Sequence, residues 1–286
     1  MNYTVIDSDN YAAHGISMMF FAGGEPHVKV PRFPKGKILL FAKLRNWTQI
    51  GFAALVLDAL DHQPDVQVTA FIPYFPGARQ DRTDGTAAHT LGVIASLLCQ
   101  TDANIVVFDA HSDEAFDTIM NLQGYGLEDL AIPTGKACGI IAPDKGAVDR
   151  AEAFRDRFYP ALPIVRCTKH RNSSTGELSH YECPPLPAKG HYIVVDDICD
   201  GGRTFNLLAQ AFKERAGYSA EDHYSLELIV SHGIFSKGLD SISQLYSRLT
   251  TTNSWCELPE DRGHRARLTV MPLQPLFDKI MGETNA

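Results

Sequence analysis

Apolar residues in this chain come in short blocks separated by helical patterns. Ile38-Leu-Leu-Phe-Ala42 is an apolar run bounded by basic residues and predicts a buried strand. Helical spacing follows over Gly51–Leu60. A strand is predicted over Val66–Ile72, ended by Pro73 and the turn at Pro76-Gly77. Thr90–Leu98 reads as a helix and Ile105–Asp109 as a strand. The pattern breaks around Ile132-Pro-Thr-Gly135 and then restarts. Strands are predicted at Gly139–Ala142, Pro163–Arg166, Tyr192–Val195 and Ser225–Val230, with helices over Asp149–Phe158 and from Asn206 onward. Alternating β and α of this kind predicts an α/β protein of two similar domains, each a mostly parallel sheet flanked by helices. The boundary is set at 133/134, giving domains 1–133 and 134–286. Leu268–Met281 is expected to add a strand and a helix that pack back on the first domain.

Composition narrows the function. At 286 residues, with 44% apolar and 21% charged residues, the chain is long enough for two globular domains. A net charge of −8 argues against a nucleic-acid partner, which needs a basic footprint. No apolar run reaches the ~20 residues of a membrane span, so no membrane partner is expected. The opening Met-Asn-Tyr-Thr-Val-Ile-Asp lacks the basic and apolar regions of a secretion signal, and a cytoplasmic location is expected. The six cysteines form no C-x-x-C pair and read as reduced thiols, with Cys199 a small filler residue.

Five segments carry candidate chemistry. The most specific is His191–Phe205, where an apolar run meets Asp196 and Asp197, then Asp200, Gly201, Gly202, Arg203 and Thr204, before a helical pattern. Glycines there let backbone N–H groups close on a phosphate at a helix N-terminus. Adjacent carboxylates suit ribose hydroxyls or Mg²⁺. Ile72–Arg82 places Arg79 and Arg82 around Gln80-Asp81, either a phosphate- and base-binding fork or a surface loop of Arg–Asp pairs. Asp109 and His111, two apart after a strand, would point to one side and suit a metal or phosphate; a satisfied polar pair has the same spelling. Asp144, between a strand and Gly146, suits either a Mg²⁺ ligand or a helix N-cap. Lys169-His-Arg171 stands before the polar, turn-rich Asn172–Ser179, which is expected to be mobile. Its cations could close over a charged transition state or be a solvated cluster.

In this order the five segments resemble the ribose-phosphate pyrophosphokinases, the phosphoribosyl-diphosphate (PRPP) synthetases, over nearly the whole chain. Phe21-Ala-Gly-Gly-Glu25 resembles the family's Phe-Ser-Asp-Gly-Glu loop, and Pro73–Arg82 its Pro-Tyr-x-x-Ala-Arg-Gln-Asp-Arg segment. Asp109-Ala-His111 resembles Asp-Leu-His, Pro143-Asp144 the metal-ligating Pro-Asp, and Lys169-His-Arg171 the catalytic Lys-Arg-Arg. Ser231-His-Gly-Ile-Phe-Ser236 resembles Thr-His-Gly-x-Phe-Ser. The resemblance implies two phosphoribosyltransferase-like domains and transfer of the β,γ-diphosphoryl group of ATP to the C1 hydroxyl of a ribose 5-phosphate unit, releasing AMP. It implies ATP contacts from Phe21, Glu25, Arg79, Gln80, Arg82 and His111, with Mg²⁺ held by His111 and Asp144. It implies catalytic roles for Lys169, Arg171 and His111, and an acceptor held by Asp196, Asp197, Asp200, Gly201, Gly202, Arg203 and Thr204. Because the Phe21–Glu25 loop serves a neighbour's ATP site in the family, a homodimer or larger homo-oligomer is implied.

Three departures from the family pattern stand out. Its sugar loop reads Asp-Thr-Gly-Gly-Thr, whereas this chain has Asp200-Gly-Gly-Arg-Thr204. Gly23 replaces the Asp of Phe-Ser-Asp-Gly-Glu, and Ser112–Asp117 replaces Gln-Ile-Gln-Gly-Phe-Phe. The added Arg203 and the smaller Gly201 suit an acceptor with a larger 5′ group, such as ADP-ribose. This extends the resemblance to phage-encoded relatives held to pyrophosphorylate ADP-ribose within NAD⁺ synthesis, for which the location would be the host cytoplasm. Ribose 5-phosphate is the other acceptor the motifs fit. A phosphoribosyltransferase would share only the acidic segment, and a non-catalytic regulatory subunit would lack the residues retained here.

Overall fold

A parallel strand covered on both faces reads as a near-continuous apolar run, and the strands at the centre of this protein carry such runs, Ile38–Phe41 in one sheet and Tyr192–Val195 in the other. The computed structural model describes residues 3–80, 85–111, 119, 122–133, 135–171, 178–187, 189–215, 224–255 and 268–283. The chain divides into two units, Met1–Tyr125 with Leu273–Ala286, and Gly126–Pro272.

In the first unit, β1 (Tyr3–Asp7) is followed by an antiparallel hairpin of β2 (Ser17–Phe20) and β3 (Pro26–Lys29). Then come β4 (Gly36–Phe41), α1 (Trp47–Asp61), β5 (Val66–Ile72), α2 (Thr90–Leu98), β6 (Asn104–Phe108) and β7 (Gln123–Tyr125). The five sheet strands run β1-β4-β5-β6-β7, all parallel, in the order of the chain. Asn46 starts α1 by accepting the Gln49 N–H at 3.0 Å.

In the second unit, β8 (Gly139–Ala142) leads to α3 (Val148–Phe158) and β9 (Ile164–Arg166). A separate antiparallel pair follows, β10 (Thr168–Arg171) with β11 (Leu178–Glu182). Next are β12 (His191–Cys199), α4 (Arg203–Arg215), β13 (Ser225–Gly233), the short α5 (Asp240–Ser243), β14 (Arg248–Thr252) and β15 (Leu268–Met271). The six-stranded sheet is parallel, in the order β15-β14-β13-β12-β8-β9. The order therefore reverses between β8 and β12. In open α/β sheets such a reversal opens a crevice beyond the carboxyl ends of the two strands. Among the described residues the first sheet shows no such reversal, so the two units share layers but not strand order.

Several boundaries differ from the sequence reading. The units divide at Tyr125/Gly126, because the 3₁₀ turn Leu127–Asp129 packs with α3 and Leu127, Leu130 and Ile132 are buried. Leu268–Met271 does not return to the first domain. It is the edge strand of the second sheet, held in parallel register with β14 (Thr251 opposite Val270). The following α6 (Phe277–Glu283) does belong to the first unit, where the Phe277 ring lies 5.2 Å from that of Phe41 and 6.0 Å from that of Phe71. The expected mobile segment lies largely outside the described residues. Among the described residues no helix is long and apolar enough to cross a membrane.

At the carboxyl ends of β1 and β4 an ionic cluster locks the first sheet. Lys43 is only 2% exposed, and its ammonium lies 2.9 Å from Asp9 and 3.8 Å from Asp7. Arg45 grips Asp9 with two parallel hydrogen bonds of 2.7 and 2.8 Å. Burial pushes the Asp9 carboxyl up, but the bonds and charges of Arg45 and Lys43 outweigh it and hold the group at about 2, against an ordinary 3.8. A carboxyl depressed in this way stabilises the fold above its unfolded value and stops doing so as pH falls towards the folded value. Asp9→Asn is expected to lower the melting temperature at pH 7, where it leaves the buried ammonium with only the more distant Asp7 carboxylate. The gap from the parent should close between about pH 4 and pH 2. A gap that is the same at both ends of that range would show that the ion pair is not its cause.

Candidate functional site

The expected acidic loop is in part a strand. Parallel pairing of β12 with β13 continues through Asp196, Ile198 and Cys199, opposite Val230, His232 and Gly233. Asp196 and Asp197 thus sit on a buried strand, 9% and 5% exposed. Local backbone donors take up part of their charge: Asp197 N–H donates to Asp196 Oδ1 at 2.9 Å and Ile198 N–H to Asp197 Oδ1 at 2.7 Å. Arg150, reaching from α3, stands 3.8 Å from Asp197 Oδ2. It was not singled out in the sequence, where nothing local marks a helix arginine as the partner of a strand forty-odd residues on.

Asp144 follows β8, the strand next to β12, and so lies at the reversal of strand order. Of the two roles that the sequence allowed, the structure shows the cap. Its Oδ1 accepts the Gly146 N–H at 2.8 Å as the cap of a 3₁₀ turn, and its Oδ2 receives the Lys169 ammonium in a close ion pair. Lys169 stands on β10, so the hairpin delivers a cation to the carboxylates at the sheet's edge. Burial, reinforced by the negative charges of Asp197 and Asp144, pushes the Asp196 carboxyl well above the usual carboxylate range; Arg150 and the Asp197 N–H pull only weakly the other way.

The turn Asp200–Gly202 then feeds α4, which begins at Arg203, earlier than the Asn206 expected. Gly202 sits at φ +74°, and a Cβ there would meet Ile242 Cδ1 at 2.5 Å, so only glycine fits. At Gly201 an added Cβ would meet the methylenes of Lys237 at 3.3–3.6 Å. Lys237, on the loop between β13 and α5, thus lies over this turn, and Arg203 is exposed at the head of α4. The Cys199 thiol is fully buried, and burial, followed by the charges of Asp196 and Asp200, pushes it up, so it packs and stays protonated. The side chain of Arg171, at the end of β10, lies outside the described residues.

The first unit carries the other expected residues. A cleft of about 440 Å³ is lined by Arg45, Trp47, Tyr74, Arg79, Gln80 and Thr90, among others. Gly77 shapes its floor: at φ +80° it approaches the start of α2 so closely that a Cβ would lie 3.0 Å from Leu91 N. Trp47, 59% exposed, offers an aromatic face there. Arg82 lies outside the described residues. Phe21 and Glu25 are exposed at the tip of the β2–β3 hairpin, closed by Phe21 N–H to Glu25 O at 2.8 Å; Gly23 has open space around it. His111 is exposed beyond β6. The expected alternation of Asp109 and His111 does not hold, because β6 ends at Phe108 and Asp109 turns left-handed at φ +44°. His111 belongs to the first unit and Asp144 to the second.

Comparison with known proteins bears on both units. Residues 133–230 match the phosphoribosyl transferase domain. A ribose-phosphate pyrophosphokinase of Granulibacter bethesdensis is 30% identical over 217 residues, 70% of this chain and 65% of that protein. One from Sulfurisphaera tokodaii is 26% identical over 278 residues, 89% of this chain and 87% of that protein. The chain is thus similar to ribose-phosphate pyrophosphokinases over most of its length, and spans just under two thirds of the first of these relatives. The crystal structure of phosphoribosylpyrophosphate synthetase from Mycobacterium smegmatis shares the fold, with a TM-score of 0.72 over 99% of both chains at 19% identity.

Among the described residues no three His, Cys, Asp or Glu side chains converge as a metal cage. The donors nevertheless fit a Mg²⁺ ion. Of the two expected ligands, Asp144 offers a carboxylate oxygen beside a carboxyl, Asp196, that burial and then the charges of Asp197 and Asp144 push up, and Mg²⁺ is commonly held by one or two carboxylates with substrate phosphates and water.

A carboxyl raised on folding costs stability above its unfolded value and costs nothing below it. Asp196→Asn keeps an oxygen to accept the Asp197 N–H and removes the charge. The variant is expected to melt higher than the parent at pH 7–8, with the gain shrinking as pH falls towards 4. Thermal unfolding across that range checks this, and a variant that melts lower at pH 8 would contradict it.

Proposed function

We propose that the protein is an ATP-dependent diphosphokinase acting on a 5-phosphorylated ribose. The C1 hydroxyl oxygen attacks the β-phosphorus of ATP, the bond from that phosphorus to the α,β-bridging oxygen breaks, and AMP leaves. The observation that carries this reading is the Lys169 ammonium on Asp144 beside the buried Asp196–Asp197 pair.

Each part of that arrangement suits the reaction. Asp196 and Asp197, fixed on a rigid strand, would accept hydrogen bonds from the ribose hydroxyls and aim the C1 oxygen. The head of α4 and the Gly201–Thr204 turn would hold the 5′-phosphoryl group, where a helix N-terminus favours negative charge. Lys169, with Arg171 from the same strand, would move from its carboxylate partner to the β-phosphoryl oxygens as charge develops on them. Mg²⁺, held by Asp144 and His111, would neutralise ATP phosphate charge. In the first unit, Arg79, Gln80, Arg82 and His111 would contact ATP, with the exposed ring of Trp47 available to stack on the base. The exposed Phe20 and Phe21 of the β2–β3 hairpin support a homo-oligomer in which Phe21 and Glu25 serve a neighbouring copy.

The acceptor proposed is ADP-ribose, whose 5′ group is a diphosphate. It is supported by the two cations at the turn: Lys237 lies over Gly201, where the family pattern has a neutral Thr, and Arg203 heads α4.

AMP formation from ATP and Mg²⁺ is expected with both ADP-ribose and ribose 5-phosphate, with the larger kcat/KM for ADP-ribose. Lys237→Ala should cut that preference roughly tenfold, the loss of one charged hydrogen bond. A parent preference for ribose 5-phosphate would remove the ADP-ribose assignment. Absence of AMP with either acceptor would favour a regulatory subunit or a phosphoribosyltransferase instead. Lys169→Ala is expected to lower kcat by ~10²–10³ while ATP affinity is kept; an unchanged kcat would contradict its role.

The chain has two tryptophans, so nucleotide binding is separately visible. ADP should quench the emission of Trp47, and Trp47→Phe should remove that quench. A quench that survives the substitution would place the base elsewhere.

A further inference from the structure

The hairpin that carries Lys169 carries a second group that the reading so far does not use. Tyr181 on β11 stands directly opposite Lys169 on β10. Residues facing each other across an antiparallel pair project from the same side, so both side chains leave the hairpin towards the second sheet. Lys169 reaches Asp144 from there. The Tyr181 ring packs into the core of the second unit with Cys167, Cys199 and Phe205, and the residue is only 8% exposed. β11 also packs along α4, whose first turn is the expected phosphoryl seat.

Its hydroxyl is the anomaly. The oxygen is shut off from solvent; the Thr204 hydroxyl is placed to donate to it, short of good geometry, and the phenolic hydrogen itself has no acceptor of good geometry among the described residues. The groups that act on it identify its surroundings. Burial comes first and Asp144 next in pushing the phenol up; the Thr204 hydroxyl acts in the opposite sense; Asp196 and Cys167 push it further. The phenol, on a strand that packs along α4, is thus a protonated donor near Thr204. Leaving a buried donor without a partner destabilises the fold. Native proteins tolerate few such groups, and each one calls for an explanation, a functional role among them. Phenylalanine would fill the same space without the cost.

We propose that Tyr181 is a binding residue for the acceptor, donating its phenolic hydrogen to an oxygen of the 5′-phosphoryl group seated on the Gly201–Thr204 turn beside the Thr204 hydroxyl. The proposal rests on the reading of that turn as the acceptor site. It gives the hairpin two tasks: Lys169 serves the diphosphoryl group in transfer, and Tyr181 senses whether the acceptor is in place. It also explains why the hydroxyl is kept in a core where an apolar ring would pack as well.

Tyr181→Phe is the test, in the full-length protein, with ribose 5-phosphate and ADP-ribose as probes. The acceptor Kd by calorimetry and its KM should each rise roughly tenfold or more, the loss of one hydrogen bond to a charged oxygen. The KM for ATP should stay within about twofold, and the variant without ligand should melt at or above the parent temperature, since an unpaired donor has been removed. An unchanged acceptor Kd and KM would overturn the role of Tyr181 alone. Equal loss of acceptor and ATP affinity with a lowered melting temperature would also overturn it, marking the phenol as structural. A parent protein that binds neither acceptor would overturn the reading of the site and this role together.

Discussion

The second unit depends on the burial of Asp196 and Asp197 inside a parallel sheet. A strand covered on both faces should be apolar throughout, and β12 is so from Tyr192 to Val195. Two carboxylates at that depth repel each other and lose hydration. The surrounding structure follows from how the charge is managed. Each Asp takes a backbone N–H, Arg150 comes in from α3, and Asp144 stands at the neighbouring strand end with Lys169 clamped to it. These compensations are incomplete, because Asp196 stays well above the usual carboxylate range. A carboxyl pair held at such a cost in hydration and repulsion is prepared for hydroxyl donors and cations. That is what a ribose and a metal-bound nucleotide bring.

The backbone gives this cluster its place. Reversal of strand order between β8 and β12 opens the crevice into which Asp144 and the end of β12 project. The first unit, whose sheet shows no reversal among the described residues, builds its cleft instead from the loop after β5 and the heads of α1 and α2. Gly77 and Gly202 both take positive φ where a neighbouring element comes too close for a Cβ. Each closes a turn at which a phosphorylated ligand is proposed to lie.

Much of this was legible in the sequence, for identifiable reasons. Val66–Ile72 and Thr90–Leu98 have the bounds read from their apolar spacing, since Pro73 and the polar residues around them punctuate the pattern. Asp144, Lys169 and the Asp196–Asp197 pair declared themselves by following strands. What the sequence hid falls into two kinds. The β2–β3 hairpin, β10 and β11 are short and partly exposed, so they carry no buried alternation to read. Arg150, Tyr181 and Lys237 reach the site from elements distant in the chain, and no local spacing connects them with it. The extent of β12 was underread because carboxylates signal a loop; continued pairing with β13 through Gly233 overrides that signal. The alternation drawn through Asp109 failed for a related reason, a single left-handed residue that ends the strand's period.

The central claim is that Asp196 is held in an electrostatically unfavourable state that the ligands relieve. Carbon-13 NMR of the aspartate carboxyl groups, assigned with Asp196→Asn and followed through a pH titration, reads this directly. In the protein alone, Asp196 is expected to titrate well above its ordinary range, and to shift down when ribose 5-phosphate and Mg²⁺ are added. Titration of Asp196 in the ordinary range without ligand, or no shift when both are present at saturation, would contradict the claim.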